Sequence, residues 1–295
     1  MSKDQGWQGM SGFLRTIKPL IEKSPFLASL YRHWRDEREL HRQPSSHQLG
    51  FQFVGNPLME SGQFEPVETA LIGRLMAHVP AVINIGANIG YYCCLALQQG
   101  KPVVAFEPMP TNQRYLLRNV VSNGWGDQFE CFPMALSSSK GVIEIFGGGT
   151  GASLVKGWAG QHFSTLVPMS TLDSVLGARF ENEGPLVIVD IEGAEFGMLQ
   201  GASLLLKAQV KPIWFVEISV AEHQPEGVDV NPHLLATFEQ FWQCGYEALT
   251  AEPQSRRVSR EEVTRIEATG VDTLGVHNFV FVDPARSTVL FPSLA

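Results

Sequence analysis

Little in this chain suits a disulfide framework or a metal cage. Its four cysteines, Cys93, Cys94, Cys131 and Cys244, show no metal-ligand spacing in 295 residues. They read as free, buried thiols of a reducing compartment, and no metal ligand is expected. No apolar run approaches the roughly 20 residues that span a bilayer. The opening "MSKDQGWQGMSG" has two charges and no apolar stretch, unlike a secretory signal, so a cytoplasmic location is expected. Basic residues are few as well. The 22 Lys and Arg against 30 Asp and Glu leave a net charge of −8, which speaks against nucleic acid as a partner.

The basic residues that exist gather at the head, where residues 1–43 hold eight Lys and Arg against five acids. Two short amphipathic helices, broken at Ser24-Pro25, are expected there. They form a helical extension over residues 1–47, ahead of a main domain over 48–295. Packing on that domain is the favoured role, and peripheral contact with a membrane surface the alternative.

From residue 81 apolar strands alternate with helical patterns. "AVINI" precedes a glycine turn and a helix with Ile89, Tyr92, Cys93, Ala96 and Leu97 on one face. "PVVAFE" is the next strand, followed by a helix capped by Thr111 and stopped at Asn123-Gly124. "FECFPMAL" reads as a third strand and "GVIEIFG" as a hairpin arm. "PLVIVDIE" leads into one helix carrying Phe196, Leu199, Leu205 and Leu206. "PIWFVEIS" is another strand, before a helix capped at Asn231-Pro232. "YEALT" and "NFVFVDP" close the pattern. The alternation predicts a mostly parallel sheet covered on both faces. Ligands of such sheets bind beyond the carboxyl ends of the strands, which directs attention to Asn84–Gly90, Glu107, Asp190–Glu195 and Glu217–Ser219.

Gly86-Ala87-Asn88-Ile89-Gly90 lets the backbone turn sharply and lets a ligand approach without a Cβ in the way. Glu107 ends the next strand about twenty residues on, where an acid accepts hydrogen bonds from ribose hydroxyls. The two together point to an adenosine-containing cofactor. A dinucleotide fingerprint spaces its glycines G-x-G-x-x-G. Here Asn88 holds the middle position and no glycine the last. S-adenosylmethionine has no phosphate and needs acceptors for its ammonium and ribose, which Asn84 and Asn88 suit better.

In order, "VINIGANIGYY", "VVAFEPMPTNQRYLLRNVVSNG", "STLDSVL", "LVIVDIEGAEFGMLQGA" and "WFVEIS" resemble the FkbM-type methyltransferases over roughly residues 48 to 283. The resemblance implies a class I methyltransferase fold: a Rossmann-like, seven-stranded, mostly parallel sheet with helices on both faces. It implies S-adenosylmethionine as cofactor and O-methylation of a hydroxyl on a sugar, glycolipid or secondary metabolite. By the same resemblance Gly86, Asn88 and Gly90 line the methionine portion, Glu107 holds the ribose, and Met134, Ala135 and Leu136 flank the adenine. The family usually carries aspartate where this chain has Asn84. A quiet relative serving as a scaffold is therefore an alternative, and an NAD-dependent oxidoreductase a lesser one.

Methyl transfer to a hydroxyl is an in-line displacement helped by a general base. Asp190 and Glu192 leave one strand, with side chains expected on the same side by strand alternation. Glu217 ends the neighbouring strand, so three acids converge, to deprotonate a hydroxyl, orient a sugar or hold a divalent cation, and Asp190 is placed with the cofactor-binding residues. Glu217 and His223 are candidates for the base, ahead of His162 and His277, and Glu192 is placed with the catalytic group. Glu195 is expected to be structural, favouring a helix start. Asp173 is expected to cap a helix, Ser153 to sit in a turn, and Trp214 and Phe215 to fill the core.

Overall fold

The computed structural model describes residues 42–147, 152–158 and 164–294. The helices expected on either side of Ser24-Pro25, as far as residue 41, and His162 lie outside the described residues. A short hairpin, β1 (Ser45–Ser46) and β2 (Gln52–Phe53), leads into the helices Pro57–Glu60 and Pro66–Met76.

Seven strands build the central sheet: β3 (Val82–Ile85), β4 (Val103–Phe106), β5 (Phe129–Phe132), β9 (Leu186–Val189), β10 (Ile213–Glu217), β11 (Glu247–Thr250) and β12 (Asn278–Val282). Their spatial order is β11-β12-β10-β9-β3-β4-β5. Strands β5, β4, β3, β9 and β10 are mutually parallel, whereas β12 runs antiparallel to both β10 and β11.

The strands are apolar because both faces are covered, and their two-residue period divides them between two cores. Ile83, Ile85, Val104, Phe106, Val187 and Val189 face one core, with the helices Glu195–Gln200, Leu234–Gln243 and Arg260–Thr269. Val82, Val103, Ala105, Leu186 and Ile188 face the other, with Pro66–Met76, Tyr91–Gln98 and Pro110–Ser122. Trp214 and Phe215 fill opposite cores, as expected.

Several elements differ from expectation. "FECFPMAL" is not one strand. Pro133 has no N–H to offer a ladder, and Met134 N–H closes a turn onto the Phe132 carbonyl at 2.9 Å. Beyond the break, β6 (Ala135–Leu136) joins a second sheet of order β6-β8-β7, with β7 (Gly141–Phe146) and β8 (Ser164–Ser170). The helix after β4 starts with Pro110, and Met109 holds the cap position without a side-chain bond, so Thr111 is not the cap. The helix expected over 196–206 is two, Glu195–Gln200 and Ser203–Leu206, split where Gly201 packs against the Ser137 carbonyl. Asp173 accepts the Leu204 N–H at 2.9 Å and so caps the second of these, while Thr171 caps Asp173's own helix. Asn231 Oδ1 accepts His233 N–H just ahead of the helix that begins at Leu234.

Asn119 anchors the lead-in segment to the rest. It is 0% exposed. Its Oδ1 accepts Val54 N–H at 2.9 Å, and its Nδ2 donates to the Val54 and Ile89 carbonyls at 3.0 and 2.9 Å. Asn119→Ala leaves three buried backbone groups without partners. A loss of about 2–4 kcal/mol in unfolding free energy is expected, read as a lower urea midpoint.

Candidate functional site

The register of the parallel strands sets the site. Ile85 lies opposite Phe106 on β4 and opposite Val189 on β9, and Val189 lies opposite Val216 on β10. The residues one step beyond are Glu107, Gly86, Asp190 and Glu217. Four neighbouring strands thus deliver three acids and a glycine in one row along the carboxyl edge of the sheet.

Gly86 sits in the left-handed region at φ 82°, and a Cβ there would lie 1.8 Å from the Asp190 carbonyl oxygen. Only glycine lets the turn pass so close to the end of β9. The Gly86 and Ala87 N–H groups both donate to the Phe106 carbonyl, which ties the turn to β4. Asn88 follows at φ 52°, a left-handed conformation that asparagine tolerates better than most residues. Its N–H donates to Glu107 Oε2 at 2.8 Å. Glu107 Oε1 accepts Met109 N–H at 2.8 Å and Asn112 Nδ2 at 3.3 Å. Glu107 is 4% exposed. Burial pushes its carboxyl up to about 7, against the opposing pull of those three donors.

The row opens on a cleft with about 560 Å³ of empty space, its mouth included. Gly86, Asn88, Glu107, Asp190 and Glu192 line it, together with Met134, Ala135 and Leu136 from the break before β6. Asn88 Oδ1 and Asp190 Oδ1 are buried with no hydrogen-bond partner. Burial, then Glu192 and Glu65, pushes the Asp190 carboxyl well above the usual range. For Glu217 the causes are burial, then Asp190 and Glu192. Among the described residues, no cluster of three or more His, Cys, Asp or Glu is arranged to hold a metal ion. Cys93 and Cys94 are buried and free, and burial pushes the Cys93 thiol up to about 12.

Against this geometry, the family described as the Methyltransferase FkbM domain matches residues 84–248, more than half of the chain and the whole row of strand ends. The chain belongs to the FkbM methyltransferase family. No curated protein matches the sequence. Among solved structures, a methyltransferase FkbM from Methylobacillus flagellatus KT is 16% identical, with a TM-score of 0.42 over 69% of this chain and 44% of that one. The chain therefore spans less than half the length of that protein. A putative O-methyltransferase from Klebsiella pneumoniae is 14% identical, with a TM-score of 0.40 over 95% of this chain and 98% of that one. An O-methyltransferase from Bacillus cereus in complex with SAH is 12% identical, with a TM-score of 0.37 over 74% and 80%.

Four of the residues expected at the FkbM site do not line the cleft. Asn84 is 2% exposed inside β3, and its Nδ2 donates to Cys93 Sγ at 3.4 Å. Strand alternation turns it toward the helix Tyr91–Gln98, away from the faces of Ile83 and Ile85. Gly90 serves packing: a Cβ would come within 2.4 Å of Leu116 Cδ1, and its φ is 90°. Glu217 stands beside Asp190 at the end of β10, outside the cleft wall. His223 is exposed, at φ 60°, with its ring edge toward Trp158 at 6.1 Å. His277 is exposed too, 3.4 Å from Glu222. The same-side placement of Asp190 and Glu192 holds for a different reason than alternation. β9 ends at Val189, and Glu192 reaches the cleft from a turn in which it has φ 54°. Glu195 is buried, and its Oε1 accepts Gly193 N–H at 2.9 Å, the structural role expected of it.

Three residues near the site carried no legible signal. Asn112 lines the cleft and braces Glu107. Glu65 accepts the Tyr92 hydroxyl at 2.6 Å, and its charge acts on both Asp190 and Glu217. Trp158, in the glycine-rich stretch, donates its indole N–H to Glu192 Oε2 at 2.7 Å. Ser153, expected in a turn, instead forms an antiparallel bridge with Phe146, with its hydroxyl donating to the Glu192 carbonyl.

Proposed function

We propose that this FkbM-family chain binds S-adenosylmethionine in the cleft and O-methylates a hydroxyl of a sugar, glycolipid or secondary metabolite. The observation that carries the reading is the pair of buried, unpartnered acceptors, Asn88 Oδ1 and Asp190 Oδ1. Buried polar atoms without partners are costly and rare in a folded chain. The amide oxygen accepts, as does the carboxylate once Asp190 is ionised, so a ligand that suits them brings donors, as an ammonium and ribose hydroxyls do. The glycine turn, whose Gly86 admits no Cβ, brings the Asn88 side of the turn against the end of β9, so that Asn88 and Asp190 line one cleft.

Bound there, S-adenosylmethionine supplies an electrophilic methyl group on a sulfonium. Asn88 and Asp190 take its donors, and Glu107 takes a ribose hydroxyl. Met134, Ala135 and Leu136 give the apolar contacts that suit an adenine. Of the three candidate bases, Glu192 is engaged by the Trp158 indole and His223 lies exposed beyond that ring. Glu217 is the base we favour, since it adjoins Asp190 and has a high proton affinity. With the cofactor supplying the methyl group, the Glu217 carboxylate would take the proton of the acceptor hydroxyl.

Calorimetry with S-adenosylhomocysteine tests the cofactor, and a labelled-methyl assay on hydroxylated acceptors tests the transfer. Turnover is expected to rise with pH, because Glu217 must lose its proton before it accepts one. Glu217→Gln is expected to lower kcat by about 10²–10⁴ and to flatten that pH dependence, with cofactor affinity kept. A well-folded chain that gives no heat with S-adenosylhomocysteine would overturn the reading.

A further inference from the structure

One short segment touches two regions that the proposed reaction keeps apart. Ala152 and Leu154 line the cleft. Between them Ser153 is buried, pairs with Phe146 through two backbone hydrogen bonds, and donates its hydroxyl to the Glu192 carbonyl. Five residues on, Trp158 is 2% exposed, with its N–H on Glu192 Oε2. Its ring lies against Gly193, where a Cβ would come within 2.5 Å of it. The ring also meets His223, and Gly157 approaches Pro225. His223 and Pro225 belong to the loop that follows β10 and Glu217. A buried indole needs a partner for its N–H. Here that partner is the carboxylate of a cleft residue, held in a left-handed conformation that a side chain rarely adopts.

We propose that Trp158 is a positioning residue that couples the cofactor cleft to the loop 219–228, which follows Glu217, the base favoured above. The inference rests on the reading that the cleft holds S-adenosylmethionine. A ligand packed on Ala152 and Leu154 steadies the segment. The segment holds Trp158 on Glu192 and Gly193, and the indole in turn holds the loop that carries His223. Cofactor binding then precedes and prepares acceptor binding.

Hydrogen exchange on the full chain, with and without S-adenosylhomocysteine, tests this. In the wild type the ligand is expected to slow exchange at residues 85–90 and also at 219–228. Trp158→Phe keeps a ring but removes the donor. It is expected to weaken ligand binding about tenfold, as loss of one hydrogen bond to a charged group does. Under saturating ligand it keeps the protection at 85–90 and loses that at 219–228. Glu192→Gln, which retains an oxygen for the indole, is expected to keep the coupling, and Glu192→Ala to lose it. Should Trp158→Phe not fold, the two Glu192 variants decide the matter. Ligand heat without protection at 219–228 in the wild type, or protection that survives in Trp158→Phe and Glu192→Ala, would overturn this inference alone. No ligand heat in the wild type overturns the cofactor reading and this inference with it.

Discussion

Gly86→Ala is expected to cost about 2–5 kcal/mol of unfolding free energy and to remove cofactor binding altogether. Two costs combine. The new side chain must adopt φ 82°, which alone costs roughly 1–2 kcal/mol. Its Cβ also meets the Asp190 carbonyl oxygen at 1.8 Å, and crowding of a packed interior adds roughly 1–3 kcal/mol. A side-chain clash can be relieved by another rotamer, but this one is with backbone. Ile85 and Val189 are paired in the ladder immediately before it, so relief means parting β3 from β9 where the row of site residues begins. Gly90→Ala is the control. Its Cβ meets Leu116 Cδ1, the far end of a flexible side chain, so it should cost less and leave measurable binding. Urea unfolding followed by circular dichroism, beside calorimetry with S-adenosylhomocysteine, separates the two variants. Equal losses for both would mean that the approach of β3 to β9 has no special weight.

The row itself was legible because it depends on strand ends, and strands buried on both faces announce their ends. "VVAF", "LVIV" and "IWFV" are unbroken apolar runs and "VINI" is interrupted by Asn84 alone, and each stops at a polar residue or a glycine. Nothing beyond parallel pairing was needed to bring Glu107, Gly86, Asp190 and Glu217 together. Side-chain direction inside a strand was harder. Asn84 looked like part of the site by its place in the motif, yet the parity of β3 turns it onto Cys93. The small sheet was hidden for another reason. β6 has two residues, and β8, with Ser, Thr, Pro and Met among its seven, lacks the apolar run that marks a buried strand. Trp158 and Glu65 were beyond reach because their contacts join segments 34 and 27 residues apart. No local period encodes such meetings. Glu65 also lies outside the span that the FkbM family matches.

Glu107 carries the second large effect, and its sign depends on pH. A carboxylate offers roughly four acceptor positions. Asn88 N–H, Met109 N–H and the Asn112 amide take three of them, which leaves one for a ribose hydroxyl. On the proposed reading the group shapes the turn and meets the ligand at once. Glu107→Ala is expected to weaken S-adenosylhomocysteine binding at pH 8 by about a hundredfold or more, the loss of a charge-assisted hydrogen bond compounded by a loosened turn. The carboxyl sits at about 7 in the folded chain, above its ordinary 4.5, because burial outweighs the three donors. Its proton is therefore held more tightly folded than unfolded. That contribution to stability is complete below pH 4.5 and is lost as pH rises through 7. The ligand reverses the preference, since ribose donors need the ionised form. Affinity should then fall about tenfold between pH 8 and pH 6, with a proton released on binding near neutrality. Glu107→Gln, which cannot titrate, should bind weakly and show neither the pH slope nor the proton release. Calorimetry in two buffers of different ionisation enthalpy measures both quantities. A wild-type affinity that stays flat from pH 6 to pH 8 would show that the ribose is not held by this carboxylate.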